Sequence, residues 1–136
     1  MKTLALLVLA LIGVSAASAN VNGAWSFKTE KFDGGCVMTG SLVVAPQSKG
    51  GVHQCTIKAH EVCPNVTGDA VESCTLNERT GQVTIVSKIV VPPKNAPYDP
   101  DNFHLKVEDV DRMTGRLESG GGGAPVVFYR GPAVVS

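Results

Sequence analysis

The chain has 136 residues, with 12 Lys and Arg balanced by 12 Asp and Glu. Zero formal charge gives no electrostatic case for nucleic acid or for an anionic membrane surface as partner. At this length a single domain is expected.

The first 19 residues read MKTLALLVLALIGVSAASA. Lys2 precedes an apolar run from Leu4 to Val14, and Ala17, Ser18 and Ala19 close the segment. That order predicts a secretory signal peptide at 1–19, cleaved before Asn20. The run falls short of the roughly 20 residues that cross a bilayer, and no second run of that length follows. No membrane span is therefore expected, and the single domain is placed at 20–136. The short leader points to bacterial export, to the periplasm or beyond the cell.

Eight stretches then alternate in the two-residue period of strands, bounded by turn formers. They are Gly23 to Lys31, Cys36 to Ala45, Val52 to Val62, Ala70 to Asn77, Gln82 to Val91, Asn102 to Glu108, Met113 to Ser119 and Ala124 to Arg130. Gly-rich turns separate most of them. The long connection is Pro92 to Asp101, PPKNAPYDPD, whose prolines cannot donate to a ladder and so predict an ordered loop or lid. Even spacing with short connections predicts an all-β, eight-stranded antiparallel up-and-down meander that either packs on another sheet or curls shut, and the closed barrel is expected over the open or sandwiched form because closure removes free edges. Within it, MTGSL at 38–42 and MTGRL at 113–117 echo each other. Gly40 and Gly115 share a face with the flanking Met and Leu, which predicts two inward positions of sharp bend or close approach.

All four cysteines, Cys36, Cys55, Cys63 and Cys74, fall after the leader. An even count in an exported chain predicts two disulfides, whereas a zinc site would pair its ligands more closely. If the second and third strands form a hairpin, position 36 lies opposite about 61. If the third and fourth do, position 55 lies opposite about 77. Bridged Cα atoms must come within about 7 Å, so Cys36–Cys63 with Cys55–Cys74 is favoured over Cys36–Cys55 with Cys63–Cys74.

Gly23-Ala24-Trp25 opens the first strand as G-x-W, and Arg130 closes the last. This resembles the calycin arrangement of lipocalins, avidin-like proteins and bacterial metalloprotease inhibitors. The resemblance covers the two ends and the strand count. It implies that Trp25 sits at the bottom of the barrel with Arg130 packed across it.

No G-x-S-x-G, H-E-x-x-H, P-loop or G-x-G-x-x-G motif occurs. His53, His60 and His104 are scattered. Asp99, Asp101, Asp109 and Asp111 read as solvated loop aspartates, and Glu61 as a rim residue. Asn65-Val66-Thr67 is a glycosylation sequon that matters only in a eukaryotic host. No catalytic residue, metal or cofactor is assigned, and the chain is not expected to be an enzyme. The expected role is an exported binding module that recognises a small apolar ligand or a protein partner at the barrel mouth, with Tyr98 and Phe103 as lid or anchor. The alternatives are a periplasmic protease inhibitor, acting through residues 20–22, and a structural envelope protein.

Overall fold

The computed structural model describes residues 19–132. The leader expected at 1–19 lies outside them but for Ala19. Eight antiparallel strands follow in order: β1 Gly23–Thr29, β2 Val37–Lys49, β3 Val52–Val62, β4 Thr67–Arg79, β5 Gln82–Val91, β6 Asn102–Asp109, β7 Arg112–Ser119 and β8 Gly122–Arg130. Each pairs with the next, and β8 returns to β1 through Trp25 opposite Arg130 and Phe27 opposite Phe128. The molecule is a closed all-β barrel, and no helix occurs among the described residues.

Three hairpins turn on two residues that both have positive φ: Gly50–Gly51, Thr80–Gly81 and Gly120–Gly121. Such turns match the right-handed twist of the strands they join. Two of them, with the Val110–Asp111 turn, lie at one end of the barrel. The other end carries the connections at 30–36, 63–66 and 92–101 and the Gly120–Gly121 turn.

Alternation fills the interior. Phe27, Phe103 and Phe128 pack together in the core, with ring centroids 4.9 to 5.4 Å apart. Trp25, Met38, Leu42, Ile57, Leu76, Ile85, Met113 and Leu117 are also fully buried. The echoed glycines explain themselves at this point. A methyl on Gly40 would collide with the Phe27 ring and the Lys58 carbonyl. One on Gly115 would collide with the His104 carbonyl and the Leu105 backbone. Both glycines let a neighbour approach closely, one an aromatic ring and the other a strand backbone.

The cysteines pair as Cys36–Cys63 and Cys55–Cys74. The β2–β3 register sets Val37 opposite Val62, so Cys36 and Cys63 fall together one step beyond. Cys55 and Cys74 face each other directly across β3 and β4. The first bridge staples the rim and the second staples the wall. Two disulfides are consistent with an oxidising, extracytoplasmic location.

Several boundaries differ from expectation. β2 continues past Ala45 to Lys49, and a register shift between Val44 and Ser48 accommodates Pro46. The Nδ1 of His53 lies 2.8 Å from the Ala45 carbonyl oxygen beside that shift. β4 starts at Thr67 rather than Ala70 and extends to Arg79. The β5–β6 ladder is short, pairing only Gln82–Ile85 with Phe103–Lys106.

Candidate functional site

The two ends of the barrel are built differently. At the end of β1 that carries Trp25, the Arg130 guanidinium lies 4.2 Å from the centre of the Trp25 ring. Its NH1 donates to the Asn22 carbonyl at 2.7 Å, NH2 to Asn20 at 2.8 Å and Nε to Val110 at 2.8 Å. The Trp25 indole N–H donates to the Val21 carbonyl at 3.0 Å. Planar donors meet three carbonyls while the cation rests on an aromatic face, an arrangement suited to arginine. This end is plugged by its own backbone.

The opposite end is the mouth, and the loop at 92–101 lies over it. Pro93 approaches Gly68 near the start of β4. Tyr98 is partly buried against the core, and its hydroxyl donates to Asp101 Oδ2 at 2.7 Å. The Asp101 N–H donates in turn to Glu72 Oε1 at 2.8 Å. Glu72 and Asp101 are both fully buried. Glu72 stands inward because it shares the β4 face with Ala70, Cys74 and Leu76. On the far side, the Ser119 hydroxyl donates to the Asp99 carbonyl at 3.4 Å.

This triad holds its proton tightly. Burial, and then the hydrogen bond and charge of Asp101, push the Glu72 carboxyl up to about 9. Burial also raises Asp101, opposed by its bonds to Glu72 and Tyr98. The Tyr98 phenol is raised by burial and by the Asp101 charge, so it stays a donor. Glu72 Oε2 and Asp101 Oδ1 are buried without a hydrogen-bond partner. A proton shared by the pair removes the like-charge repulsion between two buried carboxyls. The arrangement is a latch: the Tyr98 phenol donates to the Asp101 carboxyl and the Asp101 N–H donates to Glu72, which together hold the loop to β4. The reading of Asp101 as a solvated loop aspartate is corrected here, because its carboxyl is fully buried under the loop and accepts from Tyr98.

Two clefts flank the latch. One of about 650 Å³ runs from Ser87 to Asp99, Asn102, Arg116 and Glu118. The other, about 170 Å³, lies between Pro93, Ala96, Pro97 and Tyr98 of the loop and Glu61, Cys63, Val66 and Gly68. Of the expected lid or anchor residues, Tyr98 lines the second cleft, whereas Phe103 is fully buried in the aromatic core. Glu61 sits half-buried at the rim, its carboxyl raised by burial and by the nearby Asp101 and Asp33. Cys36, Glu61 and Cys63 have metal-ligand proximity, but both sulfurs are committed to the rim disulfide. His60 pairs with Asp69 at 2.7 Å and His104 with Glu118 at 3.3 Å, both on the exposed outer face.

Glu72 was missed in the sequence. Its parity with Cys74 was the available signal, since a carboxylate at an inward position needs a partner. Among the described residues no helix is long and apolar enough to cross a membrane. A scan against protein-family models and a search of curated proteins found no match, and the chain is placed by its architecture alone, an eight-stranded antiparallel closed barrel that fits a calycin-like barrel in general.

Proposed function

We infer that this is an exported, non-catalytic binding module that recognises a protein partner at the barrel mouth. The observation that carries the reading is the contrast between interior and rim. The space where a small barrel would hold an apolar ligand is occupied by Phe27, Phe103 and Phe128. Recognition is therefore left to the rim, where a pinned loop stands between two clefts. The buried acids serve the loop rather than a substrate, because both are sealed beneath it. Export, to the periplasm or beyond the cell, is supported by the leader pattern and by the two disulfides. Likeness to the bacterial calycin inhibitors would require residues 20–22 to enter a protease, yet Arg130 holds the carbonyls of Asn20 and Asn22.

Site-specific photo-cross-linking in the compartment where the protein resides tests this reading. A photoreactive side chain at Ala96, in the loop, should give a discrete adduct. The same group at Thr56, on the outer wall, should give none. Equal labelling from both positions, or none from Ala96, overturns the proposal.

A further inference from the structure

β5 and β6 separate above Ile85 and Phe103, the last residues they pair. The next inward residue of β5 is Ser87. Its N–H donates to the Asn102 side chain at 2.9 Å, which fixes that edge of the residue toward β6. In a strand a residue's N–H and C=O share an edge, so the Ser87 carbonyl faces the same gap. Beyond it, Lys88, Ile89 and Val91 have ladder partners only on β4. The Ser87 hydroxyl is buried and has no hydrogen-bond partner. Val86, Val90 and Val91 stand on the same stretch, each more than half exposed. An open edge with an apolar flank is a template for another strand.

The gap has a second wall. The cleft of about 650 Å³ that reaches Ser87 is bounded by Asp99, Asn102 and Glu118. Both walls belong to one closed barrel, so the gap is a notch rather than the free edge of a sheet. A second copy pairing through its own β5 would bring its β4 alongside, into the β6 and β7 wall. A single extended segment has no such neighbour.

We propose that the notch above Ile85 and Phe103 takes an extended segment of another polypeptide as an added strand along β5. Main-chain hydrogen bonds supply the affinity in this mode, and alternate side chains supply the selectivity. An inward-facing residue of the segment falls beside Ser87, a place that suits a small polar side chain. β-Branched residues on its other face lie beside Val86 and Val90. Asp99 and Glu118 outweigh Arg116 at the far wall, which favours a segment carrying a lysine or arginine there.

The inference rests on the reading of the mouth as a protein-recognition surface and names its partner as an unfolded segment. The test uses ¹⁵N-labelled protein and a capped hexapeptide of alternating threonine and valine with a leading lysine. Saturable shifts are expected at the Ser87–Val91 and Asn102 amides. N-methylation of alternate peptide bonds should weaken binding at least about tenfold, because it removes the pairing donors. Shifts confined to the cleft at Pro93 and Tyr98 overturn the notch and leave the mouth reading standing. No shift at millimolar peptide, or an unchanged affinity on N-methylation, also overturns the notch, and the Ala96 cross-link reports on the mouth separately.

Discussion

Glu72 concentrates the chemistry of this protein in one side chain. An ordinary glutamate titrates near 4.5, whereas burial and Asp101 hold Glu72 up to about 9. Between those values the folded chain keeps a proton that the unfolded chain has lost. The stabilisation is thus complete below about 4.5, declines as the pH rises through the window, and levels off above 9, with a slope of at most about 1.4 kcal/mol per pH unit. Glu72→Gln keeps the shape and a donor without the titration. Urea melts at pH 5 and pH 8 should show a smaller loss of stability for the variant than for the native chain, and parallel losses would rule out the shared proton. Gly115 makes a second residue-scale case. The Gly115→Ala methyl meets the His104 backbone, which cannot swing aside as a side chain could. Overpacking of this kind should cost about 1–3 kcal/mol, read as a lower midpoint of thermal unfolding, and an unchanged midpoint would refute the close-approach argument. The inward face of Gly115 was readable from its place between Met113 and Leu117. The partner of Glu72 was not, because Asp101 lies 29 positions away across a proline-rich loop.

At the scale of elements, the strands were legible because each alternates between one core face and one wet face. β3 and β5 begin and end where the pattern says. β2 does not, since Pro46 and the register shift after Val44 hide its last residues from a period-two reading. The disulfide pairing was legible because hairpin geometry limits which cysteines can meet, even though the assumed opposite positions were off by two or three residues. The two bridges close separations of 27 and 19 residues. Loop entropy therefore gives each about 3 kcal/mol. Their local effects should differ. Cys36→Ala with Cys63→Ala removes the rim staple beside the loop, and hydrogen exchange at Tyr98 and Asp101 should accelerate. Cys55→Ala with Cys74→Ala loosens the wall and should lower global stability by a similar amount while sparing the loop amides. Equal acceleration at the loop in both variants would sever the rim bridge from the latch.

The whole molecule is a barrel plugged at one end, filled in the middle and latched at the other. Closure could be anticipated from eight strands and from the G-x-W and arginine ends, and the structure joins β1 to β8 through Trp25 and Arg130. The filled interior could not, because strand parity tells which side chains point inward and not whether they meet. Phe27, Phe103 and Phe128 come from three strands far apart in the chain and meet only through closure. The notch between β5 and β6 is not legible in the sequence for a related reason: β5 reads as a full-length strand, and only the late start of β6 leaves its upper half without a ladder partner on that side. Assigning recognition to the mouth depends on the solidity of the centre. Phe103→Ala should cost about 3–5 kcal/mol and open a dry cavity. The most direct measurement is the thermal midpoint of the native chain and of Phe103→Ala with and without saturating toluene. A solid barrel predicts no effect of toluene on the native chain and a raised midpoint for the variant. A raised midpoint for the native chain would reveal an interior site and contradict the assignment of recognition to the mouth.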